Sequence, residues 1–264
     1  EAVARCSEEG STDLAPLDLP FFSLDPASTQ DIDDACHLAE RPDGGYSIHL
    51  AFACPALAWP FGSELDKAVF SRASSLYLPE VTLHMLPPPL STETYSLKNA
   101  QNRRPALVLN LELDRDGALE KTNFFLAGVR IAANLSYEAC EAILAEENSP
   151  LAEAASAYQS MLKAALVLEG KLKAQRLKNG AVIIERNDPE IVLHGEGEGI
   201  KVEIIPAKDN TPAQNIVGEL MLLANSAAAG WAASKELPSI YRTQDVAVPQ
   251  DYYGVWKTAQ DIAR

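Results

Sequence analysis

Four carboxylates crowd into ten residues of the stretch Ser23-Leu-Asp-Pro-Ala-Ser-Thr-Gln-Asp-Ile-Asp-Asp34, namely Asp25, Asp31, Asp33 and Asp34. Two unit charges about 4 Å apart repel by about 4 kcal/mol at an effective dielectric near 20. Acids this dense are tolerable if they splay into water, if some are protonated, or if cations sit between them. A solvated loop of Asx-turns is the plain reading, and the flanking residues weigh against it. Phe21, Phe22 and Leu24 on one side, and Ile32, Ala35 and Leu38 on the other, would pin the segment to a core. Hard oxygen donors with no His or Cys among them favour Mg²⁺, with Mn²⁺ as a substitute. The spacing lacks the central glycine and terminal glutamate of an EF-hand. Metal-assisted phosphoryl chemistry is the natural use of such a cluster, because bound cations offset phosphate charge and activate water.

The remaining composition bounds the answer. The 264 residues carry 22 basic and 37 acidic side chains, a net charge of −15, which repels phosphate backbones unless cations or a local basic groove intervene. A membrane-surface or duplex-coating protein is therefore disfavoured. No apolar run approaches the roughly 18–20 residues of a membrane span. The four cysteines (Cys6, Cys36, Cys54, Cys140) form no CxxC pair and read as free thiols of a reducing cytoplasm. The four histidines show no zinc-hydrolase spacing.

Several elements must position the acids. Residues 1–19, polar and dotted with Pro, Gly and Ser, read as a linker or arm, and strand-like text begins at Phe21. Gly45–Cys54 alternates as a half-buried strand that would back the acidic loop. Ser63 with Asp66 opens a helix expected to reach Leu76. Strands over 106–114 and 121–131 flank Arg115-Asp116-Gly117, a hairpin turn. Helices are predicted over 136–147 and 151–179. The second closes on Lys171, Lys173, Arg176 and Lys178 before Gly180, either a well-terminated helix or an RNA-facing edge. Short strands near 181–185, 191–194 and 200–205 follow, with Gly195–Gly199 as a turn rather than a phosphate cradle. Thr211-Pro-Ala-Gln214 is a capping box opening a last helix, on which Asn215, Glu219 and Ser226 form a polar stripe that could face a cleft. Strands and helices mix without regular βαβ alternation, which favours an α+β fold.

The stretch Leu24-Asp-Pro-x-Ser-Thr-x-Asp-Ile-Asp-Asp34 resembles the signature of the ribonuclease II (RNB) family of hydrolytic 3′-to-5′ exoribonucleases. Further blocks fall in that family's order: Ile48-His-Leu-Ala, Gly62-Ser-x-Leu-Asp66, Arg72-Ala-Ser-x-x-Tyr-Leu-Pro79, Met85-Leu-Pro, Leu90-Ser91 with Ser96-Leu97, and Glu219-Leu-Met-x-x-Ala-Asn225. The resemblance runs from about Phe21 to Arg242. It implies a mixed, mostly antiparallel, twisted and open-barrel-like sheet with packed helices, residues 20–264 being the N-terminal part of the catalytic domain. It further implies that Asp25, Asp31, Asp33 and Asp34 hold magnesium, with Asp33 the acid most tied to catalysis. Tyr77 would stack on the 3′-terminal base of single-stranded RNA, and Glu219 would contact the terminal nucleotide. The implied activity is release of 5′-mononucleotides.

The sequence also departs from the family pattern. Ile184 stands near the place of a second clamping aromatic, and Cys54 replaces an acid in the family's H-x-A-D block. The Ser-Pro-Ile-Arg-type motif and the flanking cold-shock and S1 domains are absent, so the chain reads as a piece of a longer protein. These departures support an alternative, a catalytically impaired module that binds RNA or a protein. A calcium-stabilised structural domain is a third reading.

Overall fold

A computed structural model describes residues 14–183, 189–195, 199–206 and 210–242. Five strands, β1 (Pro16–Asp25), β2 (Asp34–Glu40), β3 (Tyr46–Ala53), β6 (Arg104–Leu113) and β7 (Leu119–Ser136), pair in that order and close on themselves. All contacts are antiparallel except β1 with β7, which run parallel from Pro16↔Gly128 to Asp25↔Ser136. The architecture is α+β with a mixed, mostly antiparallel sheet. The sheet forms a closed ring, because β1 meets β7 along its length and β2 at Phe22↔Cys36. β1 begins at Pro16, so residues 16–19 belong to the sheet rather than to an arm.

Strand alternation feeds two separate cores. Residues such as Phe22, Cys36, Ile48, Leu50, Leu109 and Leu111 pack with the helices α2 (Tyr137–Leu144), α3 (Pro150–Ala155), α4 (Gln159–Lys178) and α5 (Pro212–Ser234). Their neighbours on the opposite face, Phe21, Ala35, Ala51, Val108, Val129 and Ile131, pack with Ile32 and Leu97. Each fully buried Phe or Leu is worth about 1.5–3 kcal/mol, so the register that sorts them is strongly held. A third, small cluster seats α1 (Glu64–Arg72) through Leu65 against Leu86, Leu90 and Tyr95.

Local signals set many boundaries. The side chains of Ser63, Ser136, Ser149 and Thr211 each accept a hydrogen bond from the backbone N–H three residues on, and Thr211 with Gln214 completes the capping box. The β6–β7 turn closes on Asp114, whose Oδ1 accepts from the N–H groups of Asp116 and Ala118, with Gly117 at φ 85°. A side chain at Gly117 would also meet Leu168 and Lys171 of α4 at 3.5 Å.

Three expectations are corrected. Helix α1 stops at Arg72 rather than Leu76, because Ala73 turns left-handed (φ 62°) and sends the chain into the short hairpin β4 (Leu76–Tyr77) and β5 (Thr82–Leu83). The helix predicted over 151–179 is two, broken by a 3₁₀ turn at Ser156–Tyr158. β2 was not read as a strand in the sequence, where the acids dominate its start. The strand β8 (Pro189–His194) pairs with β9 (Lys201–Pro206), as expected for the small meander. Residues 181–183 are not strand, and Ile184, Glu185 and the centre of the Gly195–Gly199 turn lie outside the described residues.

By length and composition α5 matches a membrane span, contrary to the expectation that no run approaches one. One face of it packs in the core: Ala213, Ile216, Leu220, Ala224 and Ala227 are buried in the main cluster, and Glu219 is ion-paired. Among the described cysteines, Cys36, Cys54 and Cys140 are free.

Candidate active site

The four acids gather where β1 ends and β2 begins. Asp25 is the last residue of β1 and Asp34 the first of β2, with Asp31 and Asp33 in the connection. That connection is pinned at several points. Thr29 N–H donates to Pro26 O, Ile32 N–H to Ser96 Oγ (2.9 Å), Leu97 N–H to Ile32 O (2.8 Å) and Ala53 N–H to Asp33 O (2.8 Å). Ile32 is buried in the second core. Asp31 and Asp33 therefore flank a fixed apolar anchor, and the strand backing expected at 49–54 is supplied by β3 through Asp34↔Phe52.

The electrostatics are those of anions held near one another without a cation. Burial, aided by Asp25 and Asp33, pushes Asp34 up to about 6. Burial followed by the charges of Asp31 and Asp25 raises Asp33, and burial raises Asp25 against the opposing hydroxyl of Ser23. Asn134 Nδ2 donates to that hydroxyl (3.0 Å), and Asp25 Oδ2 is a buried oxygen with no hydrogen-bond partner. Asp31 is engaged differently: Tyr77 Oη donates to its Oδ2 at 2.6 Å, and His84 Nδ1 lies 3.3 Å from the same atom.

The donor chemistry fits a hard divalent cation, since an orphaned carboxylate oxygen and raised acids are what such an ion would satisfy. The geometry is not closed in advance. Among the described residues, no three His, Cys, Asp or Glu side chains converge into a ready coordination group. Mutual repulsion opposes convergence, and Tyr77 and His84 of the β4–β5 hairpin hold Asp31 in place.

Tyr77 is brought to this cluster, with its ring 64% exposed. Glu219 is not part of it. It is buried on α5 and gripped by Arg176 of α4, whose Nε donates to Oε2 (2.9 Å) and whose second nitrogen binds Oε1. The polar stripe on α5 thus has its carboxylate inside a helix–helix contact instead of facing a cleft. Lys171, with Arg176 half of the basic group at the end of α4, is likewise spent internally: its Nζ donates to Tyr46 Oη and Arg115 O, and nearby Gln175 donates to Asp116 O. Gly180 (φ 89°) then ends the helix, as the termination rules expect. Cys54 is partly buried, its thiol raised by burial.

Sequence reasoning missed three neighbours. Tyr137 follows Ser136, the register partner of Asp25, and its hydroxyl is raised by burial and by Asp25 and Asp34. Asn134 supports Ser23, and His84 abuts Asp31. Only the serine cap preceding Tyr137 was visible beforehand. The other two depend on chain crossings with no local signature.

The family model "RNB domain" matches residues 13–264. The chain belongs to the RNB domain family. This RNB domain is 34% identical over 221 residues to "Exoribonuclease 2" of Photorhabdus laumondii, covering 82% of this chain and 33% of the relative. It is 29% identical over 245 residues to "Ribonuclease R" of Vibrio parahaemolyticus, covering 93% and 28%. Among solved structures, Mycoplasma genitalium RNase R in complex with ribose-methylated single-stranded RNA superposes with a TM-score of 0.74 at 26% identity, covering 87% of this chain and 35% of that one. The chain spans about a third of the length of these relatives.

Proposed function

We propose that this RNB domain is the metal-binding part of a 3′-to-5′ exoribonuclease that acts on single-stranded RNA and releases 5′-mononucleotides. The observation that carries the reading is the set of raised, uncompensated carboxylates at the joined ends of β1 and β2. Relatives named Exoribonuclease 2 and Ribonuclease R, and an RNase R with single-stranded RNA bound, support the substrate class.

Asp25, Asp31, Asp33 and Asp34 would hold Mg²⁺, with Mn²⁺ as a substitute. When bound, the cation supplies charge neutralisation and Lewis acidity at the scissile phosphodiester. The chain's own residues do the rest. Ile32 keeps the acids on a rigid anchor, and Ser23 with Asn134 orients Asp25. The exposed ring of Tyr77 offers a stacking face that accepts any base, as a sequence-tolerant enzyme needs. Asp33, raised and without a fixed partner of its own, is the acid expected to matter most for turnover. The free buried thiols Cys36 and Cys140 support a reducing, cytoplasmic setting.

The test is 5′-labelled single-stranded RNA with Mg²⁺ or Mn²⁺, run on a sequencing gel beside the Asp33→Asn variant. A ladder shortened from the 3′ end and lost in the variant is the expected result. Cys54, standing where the family's H-x-A-D block has an acid, favours a second reading, in which this chain binds RNA without turning it over. RNA retained in EDTA, with no ladder under any metal, would select that reading.

A further inference from the structure

The hairpin that carries Tyr77 also carries His84, and both reach the same atom. β4 and β5 pair through Leu76↔Leu83 and Tyr77↔Thr82, and Met85 N–H donates to Ser75 Oγ at their base. Arg72, at the end of α1, donates to His84 O (2.9 Å), fixing the backbone beside the imidazole. Tyr77 Oη then donates to Asp31 Oδ2 at 2.6 Å, while His84 Nδ1 stands 3.3 Å from it. The side chains of His84 and Asp31 are 13% and 11% exposed, so their approach is sheltered from competing water. The tyrosine ring, by contrast, faces solvent. His84 Nδ1 is buried and has no hydrogen bond, so it is poised to donate after a small rotation of Asp31.

We infer that Tyr77 and His84 are positioning residues for Asp31, and that the β4–β5 hairpin thereby couples the base-stacking face to the divalent-metal site. This rests on the proposed function, and extends it from a stacking role for the Tyr77 ring to a separate role for its hydroxyl. A carboxylate among three others drifts away from them unless something fixes its rotamer, and a phenol O–H to a carboxylate is a strong, short anchor. Partners behind a metal ligand orient it, and their loss typically weakens metal binding by about 10–100-fold. A base stacked on the ring would restrict the ring, hence the hydroxyl and hence Asp31. By linkage, single-stranded RNA and metal then each favour the other.

The experiment separates the hydroxyl from the ring. Mn²⁺ affinity is measured by electron paramagnetic resonance on the unaltered chain, Tyr77→Phe, His84→Ala and Tyr77→Ala. Oligonucleotide affinity is measured in EDTA on the same set, and circular dichroism verifies that each variant folds. Tyr77→Phe is expected to weaken Mn²⁺ binding about 10-fold while leaving metal-free oligonucleotide affinity within about 2-fold. His84→Ala should weaken Mn²⁺ by a smaller factor, and Tyr77→Ala should lose both. If the unaltered chain binds Mn²⁺ and Tyr77→Phe and His84→Ala bind it equally well, the positioning role is overturned and the proposed function stands. If the unaltered chain binds no Mn²⁺, both fall.

Discussion

The two ends of β2 carry acids in opposite states. At its start, Asp34 is joined by Asp25, Asp31 and Asp33 with no arginine or lysine among them, and burial raises Asp34, Asp33 and Asp25. Just past its end, Arg41 binds Asp43, Glu112 (3.3 Å) and Glu120 (2.7 Å), and Ser47 Oγ adds a bond to Glu112 (2.9 Å). There the arginine holds Asp43 down to about 2. A carboxylate beside a cation of the fold stays charged. Where the fold gives none, as at the acid loop, the proposed divalent cation would complete the charge balance. Glu219, paired with Arg176, belongs with the Arg41 end.

The largest effect that would sharpen this contrast is on turnover. Asp33→Asn should lower RNA degradation by about 10²–10³-fold, comparable to losing one charge-stabilising group at an active site, as read from initial rates on labelled RNA. Equal rates would put the acids on the structural side of the comparison.

Stability gives the next two tests. Asp34 has a raised value when folded, so it adds stability below about pH 4 that is lost as pH rises through about 6. Metal-free protein should therefore melt at a lower temperature at pH 7 than at pH 5. Asp34→Asn should flatten that slope and stabilise the metal-free protein at pH 7 by up to about 3 kcal/mol. Asp43 works in the other sense, contributing above about pH 4 and losing its contribution as pH falls toward 2, so the window between 4 and 6 reports on the acid loop alone of the two. Glu219→Ala should destabilise by about 2 kcal/mol, because it strips Arg176 of its partner in a half-buried contact. Chemical denaturation measures it. A variant of unchanged stability with weakened RNA binding would move Glu219 to the functional side.

The smallest effect is expected at Arg41. Arg41→Gln should slightly lower the melting temperature, and less so at high salt, since its partners are largely solvated. Activity should not change.

Much of this was legible beforehand because it is local. The acid motif, the Ser63 and Thr211 caps, the Asp114–Ala118 turn and the Gly180 stop each depend on residues within a few positions of one another. The break in the long helix was hidden, since Ser156–Tyr158 carries no proline or glycine. β2 was hidden by its composition. One face carries the small or polar Ala35, His37 and Ala39 while only Cys36 and Leu38 enter the main core, and its strand character comes from lying between β1 and β3.

The one-dimensional pattern was enough to determine that four acids crowd one loop, that apolar residues anchor it, and that the fold mixes strands with capped helices. Tertiary structure alone decided that the sheet closes through a parallel β1–β7 pairing, that Tyr77 reaches Asp31 across 46 residues, and that Glu219 meets Arg176 across 43. Those pairings follow from register and ring closure. They are set by which faces of distant elements must be buried together, a property that no local spacing encodes.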